Sequence, residues 1–168
     1  MTTTKQQVES IIAYLSERGE TISVAESLTG GLLAAELVAV PGASKVFLGS
    51  VTAYQNSIKQ NLLAVPASVL ESRGAVSAET AEAMAIGVRE KFARAAGVPI
   101  ERVIGVSATG VAGPDADGDK PVGLVYIGLD LPGHRVSSYR LELPGDRAQI
   151  RAAAVLSALS ELEEQIGN

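Results

Sequence analysis

The chain has 168 residues, a formal net charge of −5, no cysteine and a single histidine, His134. That length fits one domain with a real core, and the missing cysteines exclude disulfides, thiolate metal sites and cysteine nucleophiles. One histidine excludes a multi-histidine metal site, and the acidic balance argues against general nucleic-acid binding, which needs a basic surface.

In chain order, Val8, Ile11, Ile12 and Leu15 recur at helical spacing, with Gly19 as the stop. "TISVA" (21–25) reads as a short buried strand, and "LLAAELVAV" (32–40) as a helix ending before Pro41. Gly30 and Gly31 fall in the first turn of that helix, where each costs about 1 kcal/mol relative to alanine. "VFLGSVTAY" (46–54) is a second strand. Asn56 is placed to cap the next helix, "SIKQNLLAV" (57–65), which stops at Pro66. A short helix through "SVLESR" ends at Gly74, and Ser77 caps a long helix whose Ala81, Met84, Ala85, Val88 and Phe92 form a stripe.

"RVIGVSATG" (102–110) is nearly all apolar, as expected of a strand covered on both faces. A polar, turn-rich loop follows at 111–121. "VGLVYIGLDL" and "RVSSYRLEL", joined through Pro132 and Gly133, read as a β-hairpin. Its second strand has Ser137, Tyr139, Leu141 and Leu143 on one face and belongs toward a sheet edge. The closing amphipathic helix aligns Val155, Leu159, Leu162 and Ile166. Early helix–strand alternation with a late hairpin predicts an α/β fold: a three-layer α-β-α sandwich with a mixed sheet of about five strands, forming a single domain over 1–168. No apolar run reaches the roughly 18 residues that span a bilayer. "MTTTKQQVES" lacks an apolar signal region, so a cytoplasmic location with no membrane partner is expected.

Ligands of open α/β sheets gather beyond the carboxyl ends of the strands, at helix starts. Three polar segments fall there: "ESLTGG", "AYQNSIK" and "SATGVAGP". In the first, Ser27 or Thr29 either caps the helix, or the bare amides around Gly30 and Gly31 receive an anion or a developing oxyanion. The charge of Glu26 opposes a phosphate there unless Arg or Lys neutralises it. In the second, Lys59 is either a solvated lysine or, near a helix start and partly buried, an amine of lowered pKa. A neutral amine takes a proton from serine. Tyr54 is either core packing with a wet hydroxyl or a hydrogen-bond relay. In the third, Thr109, Gly110 and Gly113 either make the turn before Pro114 or face a ligand with their amides. "DADGD" has the spacing of a calcium loop but not its closing glutamate, so no metal is expected. Arg147 starts the last helix, where it either pairs with Asp146 or Glu142 or binds a phosphate through its planar donors.

Taken together, "AESLTGG", "PGAS", "AYQNSIK", "RGAVSAETAEAMAIG", "SATGVAGPDADGDKPVG" and "PGDRAQIR" resemble the C-terminal domain of the CinA family, in its order and spacing, over about residues 5 to 165. Members that stand alone look like nicotinamide-nucleotide amidohydrolases. The resemblance implies a cofactor-free serine amidohydrolase with a serine–lysine pair, here Ser27 and Lys59. Nicotinamide mononucleotide (NMN) is its small-molecule substrate, converted with water to nicotinate mononucleotide and ammonia in pyridine-nucleotide recycling. It also implies active-site positions for Ser44 and Tyr54, with Arg147 near the substrate phosphate; Thr29, Gly30, Gly31, Asn56, Thr109 and Gly110 are the further candidates for binding the substrate. Position 28 is Leu where many relatives have Cys, and position 50 is Ser where glycine is common. The N-terminal domain of full-length CinA proteins is absent from this sequence. A non-catalytic nucleotide-binding or partner-docking domain is the main alternative. Small three-layer enzymes often dimerise, so a homo-oligomer, preferably a dimer, is expected.

Overall fold

A computed structural model describes residues 3–167. Its elements, in order, are α1 (Thr4–Arg18), β1 (Thr21–Glu26), α2 (Leu32–Val38), β2 (Phe47–Thr52), α3 (Asn56–Leu63), α4 (Ala67–Arg73), α5 (Ala78–Ala96), β3 (Val103–Gly110), β4 (Leu124–Asp130), β5 (Ser137–Glu142) and α6 (Arg147–Gly167). The strands form one mixed sheet in the order β2-β1-β3-β4-β5. β1 pairs in parallel with β2 and β3, while β4 runs antiparallel to both β3 and β5. Helices cover both faces, so the predicted three-layer sandwich is the observed one, and β5 lies at an edge as its pattern indicated. Among the described residues no helix is long and apolar enough to cross a membrane.

The two faces of the sheet differ in side-chain size. Ile22, Val24, Ile104, Val106, Val125, Ile127 and Leu129 pack against α1, α2 and α6 in the main core. The opposite face carries Ser23, Ala25, Gly105, Ser107 and Gly128, because successive strand residues alternate between faces. These small residues let α5 settle onto the sheet. A Cβ at Gly105 would lie 2.1 Å from the Ala85 carbonyl oxygen, and one at Gly128 2.4 Å from that of Ala81. The polar members of this face are satisfied: Ser107 donates to Ala81 O at 2.6 Å and Ser23 to Ile104 O at 3.3 Å. A second, smaller cluster of Ala25, Ala53, Leu63, Val65, Met84 and Val88 joins β1, α3 and α5.

Several boundaries differ from the sequence expectation, each for a local reason. Gly30 and Gly31 are not in the first turn of α2. They occupy left-handed conformations in the turn before it, with φ of 60° and 98°, and Gly31 is the N-cap. α2 ends at Val38 rather than Val40. Asn56 does not cap α3; it is the first helical residue and Gln55 is the N-cap. α3 ends at Leu63 because Ala64 turns left-handed. Ser77 does cap α5, accepting from the Thr80 amide, and Gly19 closes α1 as expected.

Candidate active site

The carboxyl ends of β1, β2 and β3 lie side by side and open into a cavity of about 240 Å³, walled by Ser27, Leu28, Lys59, Val76, Gly110 and Arg147 among others. β1 ends at Glu26 and Ser27 follows directly, and the alternation of the strand sends these two polar residues to opposite faces of the sheet. Glu26 turns toward α2. Fully buried, its carboxylate accepts the amides of Gly31 and Leu33 at 2.9 and 3.1 Å and that of Ala34 at 2.9 Å. Three otherwise free N–H groups at a helix start are thereby satisfied by one anion, at the positive end of the helix dipole. Glu26 thus supplies the capping acceptor for α2, whose N-cap residue is Gly31, where the sequence suggests Ser27 or Thr29.

Ser27 turns the other way, toward α3. Its amide still extends the β1–β3 ladder by donating to Ala108 O at 2.9 Å. Lys59 approaches from α3. It is one turn into the helix and only 1% exposed. Its Nζ lies 3.0 Å from Ser27 Oγ, 2.8 Å from Ala53 O and 2.9 Å from Tyr54 O. Among the described residues Lys59 has no carboxylate partner. Burial without a counter-charge lowers its pKa from 10.5 to about 8. A neutral amine has two N–H bonds and one lone pair. In the charged form Nζ donates to all three oxygens; in the neutral form the two carbonyls can take the two hydrogens, leaving the lone pair for the Ser27 hydroxyl.

The remaining expected residues divide by position. Arg147 starts α6, lines the cavity, and donates to Gly113 O at 2.6 Å and to the Tyr54 hydroxyl at 3.4 Å. It forms no ion pair with Asp146 or Glu142: Asp146 caps α6 through the amides of Ala148 and Gln149, and Glu142 pairs with Arg140. Tyr54 is 56% exposed and directs its ring toward Arg147, so its contact with Lys59 is through the main chain rather than the phenol. Thr109 lines the cavity with its hydroxyl held by Ala75 O at 2.7 Å. Gly110 lines it too, and its lack of a side chain is required by β4, since a Cβ would meet Leu124 O at 2.7 Å.

The other candidates, and His134, are not at the cavity wall. Thr29, Gly30 and Gly31, in the turn that follows Ser27, do not line the cavity: the Gly31 amide is taken by Glu26, and the Thr29 hydroxyl is buried without a partner among the described residues. Asn56 is exposed on α3, away from the cavity. Ser44 sits exposed in a 3₁₀ turn (Ala43–Lys45) leading into the start of β2. Because β2 is parallel to β1, with Phe47 opposite Ile22, Ser44 is at the far end of the sheet from Ser27 within this chain. His134 is exposed in the β4–β5 connection, equally remote from the cavity. Among the described residues, two at the cavity wall carry amides with no protein acceptor: Leu28, directly after Ser27, and Gly110, which forms a non-hydrogen-bonded pair with Val125 and turns its N–H toward β1 beyond the last β1–β3 pair, Glu26 and Ala108.

Sequence reasoning missed three contributors. Glu26 was read as an obstacle to an anion rather than as a cap. The carbonyls of Ala53 and Tyr54 belong to the main chain, so no residue type announces them. Arg151, whose Nε and Nη2 donate to Leu28 O at 2.8 Å and Thr29 O at 2.9 Å, carried one signal only: it lies four residues after Arg147, on the same helical face.

Comparison with known proteins agrees with this architecture. A family model described as the CinA C-terminal domain matches residues 4–166. A CinA-like protein of Dictyoglomus thermophilum is 47% identical over 161 residues, covering 95% of this chain and 37% of that protein. The chain spans about a third of the length of the curated relatives it matches. Among solved structures, the competence/damage inducible protein CihA from Agrobacterium tumefaciens superposes with a TM-score of 0.88 at 31% identity, covering 98% of this chain and 96% of that one. The competence damage-inducible protein A from Klebsiella pneumoniae superposes with a TM-score of 0.88 at 29% identity, covering 99% and 98%. With nearly the whole chain matched in sequence and in fold, the protein belongs to the CinA C-terminal domain family.

Proposed function

We propose that this domain is a serine amidohydrolase that deamidates nicotinamide mononucleotide to nicotinate mononucleotide and ammonia. The observation that carries the reading is the 3.0 Å contact between the buried Lys59 amine and the Ser27 hydroxyl at the wall of a cavity. Uncharged Lys59 accepts the Ser27 proton as Oγ attacks the carboxamide carbon. The developing oxyanion is received by the free amides of Leu28 and Gly110, fixed dipoles that need no rearrangement during the reaction. Lys59, now protonated, gives its proton to the departing nitrogen, the C–N bond breaks and ammonia leaves. Lys59 then deprotonates a water that attacks the acyl-enzyme, and the proton returns to Ser27 Oγ as the carboxylate is released. Arg147, across the cavity, holds the 5′-phosphate and so aligns the amide with the nucleophile.

The test is ammonia release from NMN by the purified protein, with phosphate release measured in parallel and Ser27→Ala beside it. Ammonia from the wild type alone supports the reading. Phosphate release without ammonia points to an esterase, and saturable NMN binding without turnover points to a binding domain.

A further inference from the structure

The nucleophile turn, Ser27–Gly31, is gripped from two sides. Glu26 holds its far end from within the fold through the Gly31 amide. On the outside, Arg151 of α6 bridges two consecutive carbonyls, Nε to Leu28 O at 2.8 Å and Nη2 to Thr29 O at 2.9 Å. Its planar donors are directed to main-chain oxygens rather than to a carboxylate, and the guanidinium lies against Gly30, where a Cβ would stand 3.3 Å from Nη2. In a trans peptide the N–H points opposite to the C=O. Pinning the Leu28 and Thr29 carbonyls toward α6 therefore fixes the two peptide planes from the Leu28 Cα to the Gly30 Cα, which adjoin the Ser27–Leu28 peptide.

Arg147 and Arg151 are one helical turn apart at the start of α6. One faces the cavity and the other holds the turn that carries the hydroxyl. We infer that Arg151 is a positioning residue for Ser27: it keeps the nucleophile turn in register with Lys59 without touching substrate, so that the start of α6 supplies both the anion contact and the support of the nucleophile. This rests on the assignment of Ser27 as nucleophile. A helix–turn contact of purely structural value would use any pair of carbonyls. Here the two chosen carbonyls belong to the two residues that directly follow the nucleophile.

The experiment compares wild type, Arg151→Ala and Arg151→Lys in two assays, each well below the thermal midpoint of the variant. One is the rate at which a fluorophosphonate labels Ser27, which requires no knowledge of the substrate. The other is steady-state ammonia release from NMN. Arg151→Ala is expected to slow labelling and kcat together by about a hundredfold, the scale of a 1 Å misplacement, with KM for NMN unchanged. Arg151→Lys, which keeps the charge but reaches only one carbonyl, is expected to fall between the two. A lowered thermal midpoint with wild-type labelling and kcat would overturn the inference, as would a rise in KM alone. A wild type that labels but releases no ammonia overturns the substrate and leaves the positioning role to the labelling series. A wild type that neither labels nor turns over overturns both.

Discussion

Lys59 Nζ and Ser27 Oγ, 32 residues apart in the chain, lie 3.0 Å from each other in the structure. The contact forms because β1 and β2 are parallel neighbours and α3 follows β2 directly, which returns the fourth residue of the helix to the end of β1. The amine is buried and unpaired with any carboxylate among the described residues, so its charged form is disfavoured.

The first prediction is a pH dependence. Lys59 must be neutral to act as base, and its pKa is about 8. kcat/KM for NMN is expected to rise about tenfold per pH unit below that value and to level off above it. The same shift links to stability. With a folded pKa of about 8 and a free-lysine value of 10.5, the unfolded chain binds more protons between those limits. Stability attributable to Lys59 therefore rises with pH from about 8 to 10.5 and is flat below 8. Thermal unfolding of wild type and Lys59→Met across this range measures it; the difference between them carries the slope.

The second prediction concerns the pair itself. Ser27→Ala and Lys59→Arg are each expected to lower kcat for ammonia release by at least about a thousandfold, with circular dichroism unchanged. Arginine keeps its proton throughout this range and cannot serve as base. Retained activity in Lys59→Arg would make the role of the cation purely electrostatic.

The third prediction separates binding from chemistry. Among the described residues Arg147 pairs with no carboxylate, and it lines the cavity. Arg147→Ala is expected to raise KM for NMN by roughly ten- to a hundredfold, the worth of a charged hydrogen bond. KM for unphosphorylated nicotinamide riboside is expected to change little. Parallel kinetics on the two substrates read the difference.

The fourth prediction tests the cap. Glu26→Gln removes the charge and at least one of three acceptances from backbone amides. It is expected to cost about 2 kcal/mol in chemical denaturation, and to lower kcat because the same residue anchors the turn after Ser27.

The fifth prediction lies away from the cavity. Gly105→Ala would place a methyl 2.1 Å from the Ala85 carbonyl, and helix α5 would have to lift from the sheet. A loss of about 3 kcal/mol is expected from such overpacking, read as a lowered denaturation midpoint.

Several elements were legible because their signals are local. The α1 stripe ending at Gly19, the Ser77 cap and the β4–β5 hairpin each depend on residues within a few positions of one another. The short glycine-rich turn was misread because Gly30 and Gly31 were assigned to a helix, whereas their left-handed conformations serve the turn before it. Ser44 and Asn56 entered through their polar type and the family pattern, and neither borders the cavity in this chain. The support of Lys59 by two carbonyls, and of Ser27 by Arg151, uses main-chain atoms that every residue possesses. Residue type carries no trace of them.

By itself, the sequence determined the order and type of the elements, because hydrophobic period, caps and turn residues act over a few positions. It also determined which chemically able side chains, Ser27, Lys59 and Arg147, fall at strand ends and helix starts. Only the tertiary structure decided which of them meet. Strand parity sends Glu26 to one face and Ser27 to the other, parallel pairing of β1 with β2 brings α3 over Ser27, and burial in that place lowers the pKa of the lysine. Distance and solvent exclusion arise from packing between segments far apart in the chain, and those two quantities set whether an alcohol beside an amine can react.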